Sequence, residues 1–135
     1  MPFVTWSEEY SVNVKVIDQQ HQKLLELVNG LHAAVESCIE KEQLRQMLVE
    51  LVKFTAIHFS TEEEYMKKYD YPQLASHHRE HRILLRHLND LVNAVSGGFR
   101  PTFYSDYDVS TDWALLHIEE HDRGLGAFLN SKNVY

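Results

Sequence analysis

His58 and Glu62 stand four residues apart in a segment with helical periodicity. On an α-helix this spacing leaves about 40° between the side chains and one turn of rise, so both reach one point beside the helix. Imidazole nitrogen and carboxylate oxygen together suit a borderline first-row metal. A single pair of this kind is common in amphipathic helices. Here it has company. His77 and His81 form a second i,i+4 pair, His21 lies upstream, and His117, His121 and Asp122 lie downstream. Nine histidines fall in 135 residues, so the useful question is which of them meet.

That depends on the elements carrying them. Residues 1–17 alternate Tyr10, Val12, Val14 and Val16 with polar residues; with no partner strand, they read as an extended arm anchored by Phe3 and Trp6. After Asp18, a first-turn or N-cap residue, Leu24, Leu25, Val28, Leu31, Val35 and Ile39 recur at helical spacing, giving helix one to near Cys38. Helix two runs from near Lys41 and ends before Asp70-Tyr71-Pro72, since proline breaks helices and restricts its predecessor. Helix three spans about 73–95, with Leu74, His77, His81, Leu84, Leu85, Leu88, Leu91 and Val92 inward, and Gly97-Gly98 stops it. The connection 99–109 is the longest, and its Phe103, Tyr104 and Tyr107 suit packing on the body. Ser110 or Thr111 can cap helix four, which carries Trp113, Leu116, His117, Leu125 and Phe128 to near Leu129.

The fold class is therefore all-α: an antiparallel up-down four-helix bundle, residues 18–130, with an extended N-terminal arm, in one domain covering 1–135. In that topology the start of helix one, the end of helix two, the start of helix three and the end of helix four share one end of the bundle. His21, His58, Glu62, His77 and His81 all lie within about two or three turns of it. His117 and Asp122 lie slightly deeper. The candidate ligands converge.

Composition narrows the function. A formal net charge of −7 argues against nucleic acid, which calls for a basic stripe. No basic amphipathic stretch and no apolar run near 18 residues points to membrane insertion. One cysteine, Cys38, excludes an internal disulfide and fits a reducing compartment. The N-terminus has no basic region followed by an apolar one, so a cytoplasmic location is expected. His32, His78, His87 and His121 read as surface or packing residues. In the run Glu62-Glu63-Glu64 only Glu62 should turn inward.

Five histidines and two carboxylates exceed the needs of one metal and suit two. A catalytic zinc needs three protein ligands. A ferritin-like di-iron oxidase would show four glutamates and two Glu-x-x-His motifs, absent from the inner faces here. A nitrogen-rich set stabilises ferrous iron and favours reversible O2 binding over a high-valent oxidant. On helix four, spacing alone favours His117 with His121, because Asp122 at i+5 is turned about 140° from His117.

His21 with Ile17 and Asp18 before it, His58-x-x-x-Glu62, His77-x-x-x-His81 and Trp113-x-x-x-His117-Ile118-x-x-x-Asp122 together resemble the hemerythrin family, in particular its single-domain bacterial type. The resemblance covers nearly the whole chain. It implies two non-haem iron ions, bridged by carboxylates and an oxo or hydroxo group. His77, His81 and His117 would hold one iron, coordinatively filled. His21 and His58 would hold the other, open to dioxygen. Glu62 and Asp122 would bridge, so the resemblance selects Asp122 over His121. Trp113, Ala114, Ile118 and Phe59 would line the O2 pocket. The family usually places leucine where Ala114 stands. Losing those carbons is worth roughly 2–5 kcal/mol if the space does not collapse, and an opened pocket with faster autoxidation is expected. The implied function is oxygen carriage, storage or delivery to an oxygen-consuming enzyme, without catalysis by the chain itself. The alternatives are a di-iron redox enzyme consuming O2, peroxide or NO, and an O2 or redox sensing module.

Overall fold

The computed structural model describes residues 5–99 and 121–135. Four α-helices account for most of them: α1 (Lys15–Glu36), α2 (Lys41–Lys68), α3 (Leu74–Ser96) and α4 (Arg123–Ser131), preceded by a 3-10 turn at Glu8–Tyr10. There is no strand among the described residues. Helix α2 packs against both α1 and α3. Phe3, the 99–109 connection beyond Phe99, and the start of helix four with Trp113, Ala114, His117 and Ile118 lie outside the described residues.

Each helix ends by the same device. At α1 the amide of Ile39 donates to Ala34 O and that of Cys38 to Val35 O. At α2 Tyr71 N donates to Met66 O and Asp70 N to Lys67 O. Phe99 and Gly98 do the same at α3, and Val134 and Asn133 at α4. These are Schellman motifs, which require a left-handed residue after the cap. Cys38, Asp70, Gly98 and Asn133 all have positive φ, of 53°, 56°, 102° and 63°. At α1, α2 and α4 the motif turns an apolar residue, Ile39, Tyr71 and Val134 respectively, back towards the core, whereas Phe99 after α3 stays exposed. The Schellman turn of α2 delivers Tyr71 into the core, 9% exposed.

The arm is shorter than its alternation suggests. Helix α1 starts at Lys15, not after Asp18, because Ile17, His21, Leu24 and Val28 already share a buried face while Val16 is exposed. Asp18 pins the arm instead of capping the helix. Its carboxylate accepts from Ser11 Oγ at 2.6 Å and from Val12 N at 2.8 Å. Val12 and Val14 are buried. The arm is also held by α4: Asn13 Nδ2 donates to Asn130 Oδ1 at 3.1 Å, and Asn130 Nδ2 donates to Asn13 O at 3.0 Å. Gly126 lets the two backbones meet, since a Cβ there would lie 2.3 Å from Val12 O. Trp6 is half-buried beside Tyr10.

The core is in two parts. One cluster holds Leu24, Val28, Leu31, Leu44, Leu48, Leu51, Phe59, Leu84, Leu88 and Val95. The other joins arm and helix ends through Val12, Val14, Ile17, Met66, Tyr71, Leu125 and Leu129. Along α1, α2 and α3 polar candidates fall where one cluster gives way to the other. His21 lies between Ile17 and Leu24, Glu62 between Phe59 and Met66, and His77 and His81 between Tyr71 and Leu84. The clusters form two apolar layers with a polar seam between them.

Candidate metal centre

The seam is fully buried. His21, His58, Glu62 and Asp122 are 0% exposed, and His77 and His81 at most 3%. Burying charge and imidazole at this density is costly unless the groups satisfy one another or bind an ion. Their atoms converge. His21 Nε2 lies 2.8 Å from Asp122 Oδ2, and His58 Nε2 lies 3.9 Å from the same oxygen. His77 Nε2 lies 3.1 Å from the other oxygen, Oδ1. Glu62 Oε1 stands 3.3 Å from His58 Nε2 and 3.2 Å from His81 Nε2.

These distances sort into two overlapping groups: His21, His58, Glu62 and Asp122, and Glu62, His77, His81 and Asp122. Within each, the potential ligand atoms all lie within 4.8 Å of one another. The first group takes its histidines from α1 and α2, the second takes both from α3, and the two groups share both carboxylates. Asp122 turns one oxygen to each side. The two groups would hold two cations with both carboxylates shared between them.

A local irregularity brings Asp122 inward. His121 and Asp122 lie in a π-helical turn ahead of α4. A π turn inserts an extra residue and shifts which side chains face the core. Asp122 is buried, whereas His121 is 35% exposed, its Nε2 4.0 Å from Glu80 Oε1. In an unbroken α-helix the i,i+4 spacing would favour His121 instead.

Two rings are gripped from behind. His58 Nδ1 donates to Gln20 Oε1 at 2.7 Å, and Gln20 Nε2 donates to Thr61 Oγ1 at 3.1 Å. His81 Nδ1 donates to Glu63 Oε1 in a long hydrogen bond of 3.4 Å. A neutral imidazole with its proton on Nδ1 presents a lone pair at Nε2. The Nε2 lone pairs of His58 and His81 therefore face Glu62 Oε1, another acceptor, across little more than 3 Å. A cation between the facing acceptors relieves that opposition, so the donor set fits metal ions. Two nitrogens and two carboxylate oxygens per side suit first-row divalent metals, iron included.

Neighbouring rings fix the ligands further. Phe59 stacks on His81 with centroids 3.7 Å apart and planes 3° from parallel. His77 meets His81 edge-on, and His21 meets His58 edge-on. The Tyr71 ring contacts His77 edge-on. Burial, and then the charges of Asp122 and Glu62, push its hydroxyl above the usual tyrosine range, so it stays protonated.

The structure thus brings together His21, His58, Glu62, His77, His81 and Asp122, with Phe59 beside them. His117 and the pocket residues Trp113, Ala114 and Ile118 lie outside the described residues. Gln20, Glu63 and Tyr71 were not legible as site residues. Gln20 depends on how α1 crosses α2. Tyr71 depends on the Schellman turn. Glu63, expected on a solvated face, is mostly buried, because α3 packs over it and His78 Nδ1 donates to its Oε1. His32 lies beside Glu36, and His87 is exposed.

The Hemerythrin HHE cation binding domain family matches residues 12–129. The bacteriohemerythrin of Stenotrophomonas maltophilia (strain R551-3) is 28% identical over 130 residues, covering 91% of this chain and 79% of that protein. That of Methylococcus capsulatus (strain ATCC 33009 / NCIMB 11132 / Bath) is 28% identical over 132 residues, covering 97% and 100%. The crystal structure of a hemerythrin mutant superposes with a TM-score of 0.83 at 28% identity, covering 96% of this chain and 98% of that one.

Proposed function

The chain belongs to the hemerythrin HHE family, and from that premise we propose that it binds dioxygen reversibly at two non-haem iron ions held by His21, His58, Glu62, His77, His81, His117 and Asp122. The observation that carries this reading is the pair of overlapping ligand groups that share both carboxylates. His77 and His81, with His117, would fill one iron's protein ligands. His21 and His58 would leave a position open at the other. Glu62 and Asp122 would tie the pair together, which fixes the spacing on which cooperation between the ions depends.

When bound, the iron pair supplies the redox chemistry that lets O2 be held and released. The chain does the rest. Gln20 and Glu63 hold the proton on Nδ1 of His58 and His81, so Nε2 of each ring is a ready ligand. The two apolar layers limit the access of water and protons to the site. Phe59 clamps the His81 ring at one orientation. The donor set, with five histidines against two carboxylates, supports carriage rather than catalysis. We include in the proposal a single domain across 1–135, a cytoplasmic location and O2 delivery to an oxygen-consuming enzyme. Among the described residues, no helix is long and apolar enough to cross a membrane.

The test is an oxygen-uptake measurement on protein loaded anaerobically with ferrous iron. One O2 taken up per two irons, and returned under argon, is expected. Continuous O2 consumption in the presence of reductant would replace carriage by catalysis.

A further inference from the structure

The outer grip on the two halves of the site is chemically unequal. On one side the His58 ring donates to a neutral amide, Gln20 Oε1 at 2.7 Å. That amide is itself fixed by Thr61, whose hydroxyl donates to Ile57 O at 3.0 Å. On the other side the His81 ring donates to a carboxylate, Glu63 Oε1. Glu63 is held in place by a second donor on the same oxygen, Nδ1 of the exposed His78. The Glu63 side chain is 19% exposed, so much of its charge is felt inside the protein.

A carboxylate behind a histidine draws on the Nδ1 proton and pushes electron density to Nε2, which makes the ring a stronger donor to a metal. An amide in the same place orients the ring without that charge. Stronger donation favours the ferric over the ferrous state. Resting on the di-iron reading above, we propose that Glu63 and Gln20 are positioning residues that set the two irons at different potentials: the carboxylate behind His81 makes the coordinatively filled iron the easier to oxidise, and the amide behind His58 keeps the open iron the easier to hold ferrous. The site that receives O2 is thereby kept reduced, and the electron most readily given up lies on the neighbour it does not touch.

Redox titration of iron-loaded protein, with iron counted in every sample, tests this. The variants are Glu63→Gln, Gln20→Glu and, as a control, Glu64→Gln, which removes a charge from an exposed neighbour. Glu63→Gln keeps an acceptor for His81 but loses the charge. It should raise the lower of the two one-electron midpoints by about 59 mV, a tenfold shift in that equilibrium. Gln20→Glu should lower the upper midpoint by a similar amount. Each substitution therefore narrows the gap between midpoints, from opposite sides, while Glu64→Gln leaves it in place. An unchanged gap in Glu63→Gln and Gln20→Glu with two irons bound overturns the proposal, as does an equal shift in Glu64→Gln. If Glu63→Gln sheds its iron, the sign of the Gln20→Glu shift decides alone. Failure of the wild-type chain to hold two irons would instead sink the di-iron reading itself.

Discussion

Substituting Glu62 by alanine should cost the protein both irons, whereas substituting His58 should cost it one. Glu62 belongs to both ligand groups, and its Oε1 lies within 3.3 Å of a histidine nitrogen on each side. His58 belongs to only one group, and its loss leaves Glu62, His77, His81 and Asp122 in place. The magnitude follows from linkage. An ion held at a free concentration about 100 times its Kd stabilises the folded state by ~2.7 kcal/mol, so two such ions contribute about 5 kcal/mol. For a chain of this size, each kcal/mol is worth roughly 3–5 °C in Tm. The iron-dependent gain in Tm should be about 15–25 °C in the wild type, about half that in His58→Ala, and near zero in Glu62→Ala. Comparing loaded with metal-free protein for each variant cancels the direct effect of the substitution on packing. The assay is iron per chain by elemental analysis, followed by calorimetry with and without iron. One iron retained by Glu62→Ala, or none by His58→Ala, would refute the shared-carboxylate geometry.

Gly126→Ala should strip the arm from α4, because the new Cβ would sit 2.3 Å from Val12 O and 2.7 Å from Val12 Cβ. A loss of about 1–3 kcal/mol in urea unfolding, with faster iron loss through the loosened end of the bundle, is expected; an unchanged midpoint would show that the arm carries no stability. The family resemblance implies an O2 pocket opened at Ala114, which Ala114→Leu should refill. Slower autoxidation is the expected readout, and a rate equal to wild type would remove Ala114 from the account.

Much of the fold was written in local pattern. The 3.6-residue periodicity, Pro72 and Gly97-Gly98 located α1, α2, α3 and the end of α4 to within a few residues, and short connections implied the antiparallel bundle. The start of α1 was misplaced because Val12, Val14 and Val16 alternate like a strand, and no local signal says that Lys15 already begins the helix. In the site, the i,i+4 pairs His58/Glu62 and His77/His81 were visible because both members sit on one helix face. Asp122 was invisible to spacing, since a π turn breaks the count on which spacing relies. Gln20 and Glu63 were invisible for another reason. Each acts on a histidine of a neighbouring helix, so its role is set by how helices cross, and sequence periodicity carries no such information. Tyr71 belongs with them: the Asp70 left-handed turn that delivers it to His77 could be read only with the α2 end in view.

The most direct test of the central claim is the absorption spectrum of ferrous-loaded protein, recorded before air, after air, and again after oxygen is removed. The account predicts O2-dependent charge-transfer bands that appear in air and vanish on deoxygenation, over several cycles, at two irons per chain. Conversion to a stable ferric spectrum that deoxygenation does not reverse would contradict it.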